Sequence, residues 1–285
     1  MKELLEHVET GSLKLPTSIS KNLKTFRVFE NFKGFQNNPF PLYKLANLLC
    51  ENWLEEDVLN GLCELRYLCQ HTLMHQPDSM SPPDFLYLPT NFFTAAQSLF
   101  YSTPRKYNTE LLDIRKRVGD TVVNSIAFTT CTDNHYAAYL YRRNQSYFEH
   151  GDSLRRPPFH EAPEILQWVF AGLGHNIPSK IVSGPIALQG SGNGGDGSCA
   201  IAALNFVESR LDASVPKWSG SASEVYRNTC LRDLIVYHSV SSGLQDIAGP
   251  KCMIRCISQT EIIDSPYAYT DFNVFSPTVC PQLTL

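Results

Sequence analysis

Three residues in this 285-residue chain have types and positions suited to nucleophilic chemistry: His135, Asp152 and Cys199. Cys199 closes the glycine-rich segment QGSGNGGDGSC and opens the apolar run AIAALNFVESRLD, residues 200–212, which reads as a buried helix. The first turn of a helix holds unpaired N–H groups and a partial positive charge. Both favour a thiolate, and the thiolate is the nucleophilic form of cysteine. His135 opens the strand-like run HYAAYLYRR, and Asp152 follows a second such run, QSYFEH. If those two runs pair as antiparallel neighbours, His135 and Asp152 arrive at the same end of the sheet. A carboxylate beside an imidazole fixes its tautomer and stabilises its protonated form. A thiol beside that imidazole ionises to a thiolate–imidazolium pair. Attack on a carbonyl then needs donors aimed at the developing oxyanion. The side-chain amide of Gln189 and the backbone N–H of Cys199 are the candidates, and the intervening glycines let the chain bend to place them.

Other constellations are weaker. Gly192, Gly194 and Gly197 outline G-x-G-x-x-G before a helix, with Asp212 downstream. The following SRLDASVPKW lacks the strand that should present a ribose-binding acid, so a dinucleotide site is not expected. The loop also lacks the Gly-Lys-Ser/Thr of a phosphate loop. Cys69, His71 and His75, and the pair Cys252 and Cys256, do not make a four-ligand zinc pattern. No metal and no cofactor is expected. Cys131 is a second candidate thiol, but it falls in a strand and lacks a helix start.

The elements that must position these groups are legible from periodicity and turn chemistry. NWLEEDVLNGLCELRYLCQH places Leu54, Val58, Leu62, Leu65 and Cys69 at helical spacing. FLYLP predicts a short strand, and NFFTAAQSLF and TELLDIRKRVG predict helices. SIAFTTC, HYAAYLYRR and QSYFEH form a strand group, with turns at Asp133-Asn134 and Arg143-Asn144. HEAPEILQWVFAGLG reads as a helix stopped by Gly172 and Gly174, and KIVSGPIAL as extended chain. SASEVYRNTCLRDLIVYHSVSSGL is a further helix. This order predicts an α+β architecture, a mixed or antiparallel sheet flanked by helices. Three regions are expected: a weakly ordered N-terminal extension over 1–41, a catalytic domain over 42–248, and an irregular tail over 249–285.

Composition narrows the class. Net charge is −4 with no long run of one sign, so general affinity for nucleic acid or anionic membrane is not expected. No signal-peptide core and no membrane-spanning stretch is visible. Nine cysteines, an odd number at irregular spacings, fit reduced thiols in the nucleus or cytoplasm better than a disulfide framework.

The run WLEEDVLNGL, then NHYAAYLY, then HGDSL, then a glutamine followed by GDGSC, resembles the ubiquitin-like-protein protease family, the SUMO-specific isopeptidases. The likeness is greatest to its divergent fungal members. It spans roughly residues 53–211. The resemblance implies a papain-like cysteine peptidase fold with Cys199 as nucleophile, His135 as base, Asp152 as its orienting acid and Gln189 in the oxyanion hole. It also implies that Trp53 and Tyr136 clamp a narrow tunnel, which admits a Gly-Gly tail because glycine has no side chain. The family usually has Trp where this chain has Tyr136, and Asp-Cys-Gly where it has Ser198-Cys199-Ala200. The loop from Gln189 to Cys199 is longer than the family's.

The expected activity is hydrolysis of the bond after the C-terminal Gly-Gly of a ubiquitin-like modifier, SUMO or ubiquitin, in its precursor or its conjugates. The acyl-enzyme would be a thioester. Two other readings share the residues: an acyltransferase using the same Cys/His/acid set, and a catalytically decayed protein that only binds the modifier.

Overall fold

The central strands are apolar on both faces, which is what a sheet covered by helices on both sides requires. In the computed structural model, which describes residues 2–11, 13–15, 17–35, 39–74, 85–120, 123–190 and 197–243, five strands form one mixed sheet. They are β1 (Phe85–Leu88), β2 (Ser125–Thr132), β3 (His135–Arg142), β4 (Phe148–Gly151) and β5 (Ile181–Ser183), in that spatial order. β1 runs parallel to β2, β2 to β3 and β3 to β4 are antiparallel, and β4 to β5 is parallel.

The helices are α1 (Lys2–Glu9), α2 (Thr17–Asn22), α3 (Glu56–Met74), α4 (Asn91–Phe100), α5 (Thr109–Asp120), α6 (Ala162–Val169), α7 (Cys199–Leu211) and α8 (Ser223–Ser241). The period-2 alternation of the strands sorts their side chains between two cores. Phe85, Tyr87, Ala127, Tyr136, Ala138 and Leu140 join the core built with α3, α7 and α8. Leu86, Leu88, Ile126, Phe128, Tyr139 and Tyr141 join the core built with α4, α5 and α6. The expected α+β class, with the cysteine helix against the sheet, is the observed one.

The expected elements hold with adjusted bounds. The strand read over QSYFEH begins only at Phe148, and of KIVSGPIAL only Ile181–Ser183 pairs. Gly184 and Pro185 end that pairing, since proline cannot donate to a ladder. The helix read from His160 starts at Ala162, with Pro163 in its first turn, where a missing N–H costs nothing.

Residues assigned to an N-terminal extension supply Leu13, Ile19, Leu23, Phe26, Phe32, Phe35 and Phe40 to the same core as α7 and α8. Phe32 and Phe40 stack at 5.0 Å, the Tyr237 hydroxyl donates to Gly34 O at 2.9 Å, and the Lys33 N–H donates to His238 Nδ1 at 3.0 Å. The expected boundary at residue 42 therefore crosses a continuous packing interface. Ile19, Leu23 and Phe26 keep helical spacing over barely two turns, and Phe32, Phe35 and Phe40 follow no period, so periodicity is too short or absent to reveal this burial. The tail over 249–285 lies outside the described residues, as do His75, Cys252 and Cys256.

Candidate active site

His135 is the first residue of β3, and the β2–β3 turn ahead of it, Asp133-Asn134, has φ of 50° and 55°. Two consecutive left-handed residues make the tight turn that matches strand twist, and Asp and Asn tolerate that conformation best after glycine. The turn thereby fixes where the His135 side chain leaves the sheet. Asp152 directly follows β4, and the antiparallel register (Ala138 opposite Gly151) brings it to the His135 end of β3. The pairing condition set by the sequence is met.

The third group comes from α7. Cys199 is its first residue, preceded by Ser198 at the N-cap. The helix packs hard on the sheet because β4 ends in glycine: a Cβ at Gly151 would meet the Phe206 ring at 2.4 Å. Every residue from Cys199 to Val207 is buried, so the nucleophile candidate sits on an immobilised helix start.

The three side chains meet. His135 Nε2 lies 3.0 Å from Asp152 Oδ1, and Cys199 is close enough to the ring to raise its pKa. With Nε2 committed to the carboxylate, Nδ1 is the ring nitrogen left to serve a thiol. Burial alone pulls the His135 pKa down, but the hydrogen bonds to Asp152 and Cys199 push it up to about 9. Asp152 moves the other way. Burial disfavours its charge, yet the hydrogen bond to His135 and the N–H groups of Leu154 and Arg156 hold the carboxyl below its usual value. The Leu154 N–H donates to Oδ1 at 2.7 Å. The geometry thus supports an imidazolium held by the Asp152 carboxylate beside the Cys199 side chain, and a protonated imidazole in that place can give its proton to a leaving amine.

Gln189 is tied to the loop after Asp152. Its backbone N–H donates to Ser153 O at 3.1 Å, and its Oε1 accepts from the Ser153 hydroxyl at 2.7 Å. Fixing the amide oxygen leaves the NH2 end as the donor, the polarity an oxyanion hole requires. Ser153 has no signal in the sequence beyond its place beside Asp152.

Trp53 and Tyr136 also meet, but with no space between them. Their rings stack at 5.4 Å with an interplanar angle of 21°. At that separation they are in contact, as an offset aromatic pair. Trp53 donates from Nε1 to Asn134 O at 2.9 Å and remains 37% exposed, while Tyr136 is fully buried beneath it. Tyr136 stands opposite Cys131 across the β2–β3 pairing, and burial pushes its phenol above the usual range. Cys131 is thus a partner of the ring under Trp53, on a strand and away from any helix start.

One residue near the site escaped the sequence altogether. Arg227, on α8, reaches the backbone just ahead of both Trp53 and Cys199. Its position 28 residues beyond the cysteine, in the middle of a helix, offers no local motif.

The sequence matches no protein-family model and no curated protein. The fold does have solved counterparts. The chain superposes on the C-terminal Ulp1 protease domain in complex with Smt3, the yeast ortholog of SUMO, with a TM-score of 0.55 and 14% identity over 82% of this chain and 98% of that one. It superposes on the Ulp1-like SUMO protease catalytic domain of Chaetomium thermophilum with a TM-score of 0.57 and 14% identity, covering 78% and 90%. A Ulp1 SUMO protease whose catalytic cysteine is oxidised to a sulfenic acid matches at 0.55, with 13% identity over 81% of this chain and 98% of that chain. The chain therefore has the fold of the Ulp1-like cysteine proteases. Among the described residues no helix is long and apolar enough to cross a membrane.

Proposed function

We propose that this chain is a cysteine isopeptidase that cleaves after the C-terminal Gly-Gly of a ubiquitin-like modifier, with SUMO the first candidate. The observation that supports this most is His135 bridging Asp152 and Cys199 at a helix start, on the fold of the SUMO proteases. In this reading Cys199 attacks the carbonyl of the terminal glycine. His135, protonated, gives its proton to the departing amine and then takes one from the water that hydrolyses the thioester. Asp152 keeps the imidazolium oriented, and Gln189 with the Cys199 N–H receives the oxyanion. Trp53 lies over the approach to this site. Because its ring rests on Tyr136, the tail of the modifier either parts the two rings or runs along the exposed face of Trp53.

The test is turnover of SUMO- and ubiquitin-coupled aminomethylcoumarin by the full chain. Release by the wild type and none by Cys199→Ala supports the reading. Equal rates for both proteins on every modifier overturn it. Tight modifier binding without labelling of Cys199 by a Gly-Gly vinyl-sulfone probe would point to a binding protein instead. Labelling of Cys199 by acetyl-CoA would point to an acyltransferase.

A further inference from the structure

Arg227 is among the largest fully buried side chains of the described residues, at 1% exposure, and its position is costly. Burial lowers its pKa, opposed chiefly by the charge of Glu51, whose Oε2 lies 3.4 Å from its Nε. A charge is retained in such a place only when its donors are matched. Here the two terminal nitrogens are matched, Nε has only the ion pair with Glu51, and every partner belongs to the chain ahead of Trp53 or ahead of Cys199.

Nη1 donates to Asn47 O and Cys50 O, each at 2.8 Å. Nη2 donates to Asn52 O and Gly197 O, each at 2.9 Å, and reaches the Ser198 hydroxyl at 3.2 Å. Asn52 immediately precedes Trp53, and Gly197 and Ser198 immediately precede Cys199. One nitrogen thus spans the carbonyl that leads into the exposed ring and the carbonyl that leads into the thiol helix. The loops touch directly: a Cβ at Gly197 would stand 2.3 Å from Glu51 O and 2.4 Å from the Asn52 carbonyl carbon. Glu51 closes the arrangement from the other side. Its Oε2 accepts from the Ser198 hydroxyl and, at 3.0 Å, from the Ser223 hydroxyl, and these two hydroxyls lie 2.8 Å apart.

We propose that Arg227 is a positioning residue that sets the distance and angle between the Trp53 ring and the Cys199 nucleophile, with Glu51 as its counter-charge. It touches no substrate. A planar guanidinium suits this task because its fork holds several carbonyls in fixed directions at once, whereas a lysine ammonium is a point donor on a flexible stem. The consequence for turnover rests on the isopeptidase reading; the clamp itself does not.

The experiment compares the full-length wild type with Arg227→Lys, Glu51→Gln and Asp233→Asn. Asp233 lies on the same helix, equally buried, but its partners are Arg66 and Arg232. Three quantities are measured at a temperature where all four proteins are folded. They are kcat and KM on SUMO-aminomethylcoumarin, carbamidomethylation of Cys199 by iodoacetamide, and amide hydrogen exchange over 47–53 and 197–200. A displacement of about 1 Å between bound tail and nucleophile costs about 100-fold in rate. The expected result for Arg227→Lys is therefore a fall of that order in kcat with a much smaller change in KM. Exchange should accelerate in both segments together. Iodoacetamide, which needs only the thiol and its imidazole, should react nearly as before. Glu51→Gln should move the same quantities in the same direction but less, and it answers the question if Arg227→Lys does not fold. Asp233→Asn should lower the melting temperature while leaving kcat and both segments as in wild type. Wild-type kcat per folded molecule in Arg227→Lys overturns the proposal, as does exchange that rises in one segment alone. If the wild type turns over no modifier substrate, the isopeptidase reading fails, and the exchange pattern still decides the clamp.

Discussion

His135 and His150 lie on adjacent strands, at 5% and 2% exposure, yet they titrate in opposite directions. His150 points into the layer covered by α4 to α6, where its ring lies 4.8 Å from that of Tyr139. Burial lowers its pKa, the Asp152 charge opposes this, and the charge of His135 adds to it. His135 suffers the same kind of burial but holds Asp152 directly and meets Cys199, and its pKa rises to about 9. The comparison shows that burial does not make a histidine functional or inert. What separates the two rings is a directly hydrogen-bonded carboxylate, which His135 has in Asp152 and His150 lacks among its described contacts.

The most drastic way to test the His135 region is to remove its nucleophile. Cys199→Ala should lower kcat on a Gly-Gly substrate by about ten-thousand-fold or more, leaving residual binding measurable by titration with the modifier. Asp152→Asn should cost less than removal of the nucleophile, at most about ten-thousand-fold in kcat, since an amide can still accept from the ring but no longer stabilises its charge. The pH dependence gives the sharper readout. In the wild type the imidazolium is lost as pH rises through about 9, so activity should fall on that alkaline limb. Without the carboxylate the His135 pKa drops, and the limb should move to lower pH. An unmoved limb in Asp152→Asn would break the comparison.

Trp53→Ala should reduce kcat/KM by about tenfold, mainly through KM, because it removes a half-exposed surface over the approach rather than a reacting group. The alkaline limb should stay in place. The smallest expected effect on activity is that of His150→Asn, which should leave the pH–rate profile unchanged.

Stability should separate the two histidines in pH. For His135 the folded pKa exceeds the unfolded one, so the folded chain binds more protons between the two values. Its contribution is complete below about pH 6.5 and is lost as pH rises through about 9. For His150 the folded pKa is the lower one, so stability falls as pH drops below its unfolded value of about 6.5. Urea unfolding from pH 5 to pH 9 checks both signs. His150→Asn should flatten only the acid side of that curve.

The parts of the site visible in the sequence share one property: they sit at the ends of strongly patterned elements. The glycine-rich run into an apolar helix marked Cys199, and Asp133-Asn134 marked the turn that aims His135. Gly151-Asp152 marked the end of β4, while its antiparallel pairing with β3 was in the sequence only a condition, which the register of Ala138 opposite Gly151 meets. Misplaced bounds, such as the late start of β4, arose where the expected run began ahead of the first ladder pair, Phe148 opposite Tyr141. The contact between Trp53 and Tyr136 was legible only as a pair of aromatics in the right elements. That they touch depends on the 2.9 Å bond from Trp53 to Asn134 O, between residues 81 apart.

By itself the sequence determined the alternation of strands and helices, the helix start that presents Cys199, and the hairpin that aligns His135 with Asp152. These follow from interactions among residues close along the chain, which periodicity and turn preferences record. Tertiary structure alone decided the rest. It placed Phe32 and Phe35 on Tyr237 of α8, set the Ser153 hydroxyl against Gln189, and brought Arg227 between the two loops ahead of Trp53 and Cys199. Those contacts join residues far apart in the chain, through irregular segments whose backbone groups are satisfied only when the whole fold surrounds them. No local pattern encodes such an arrangement, because its free energy exists only once the layers have closed.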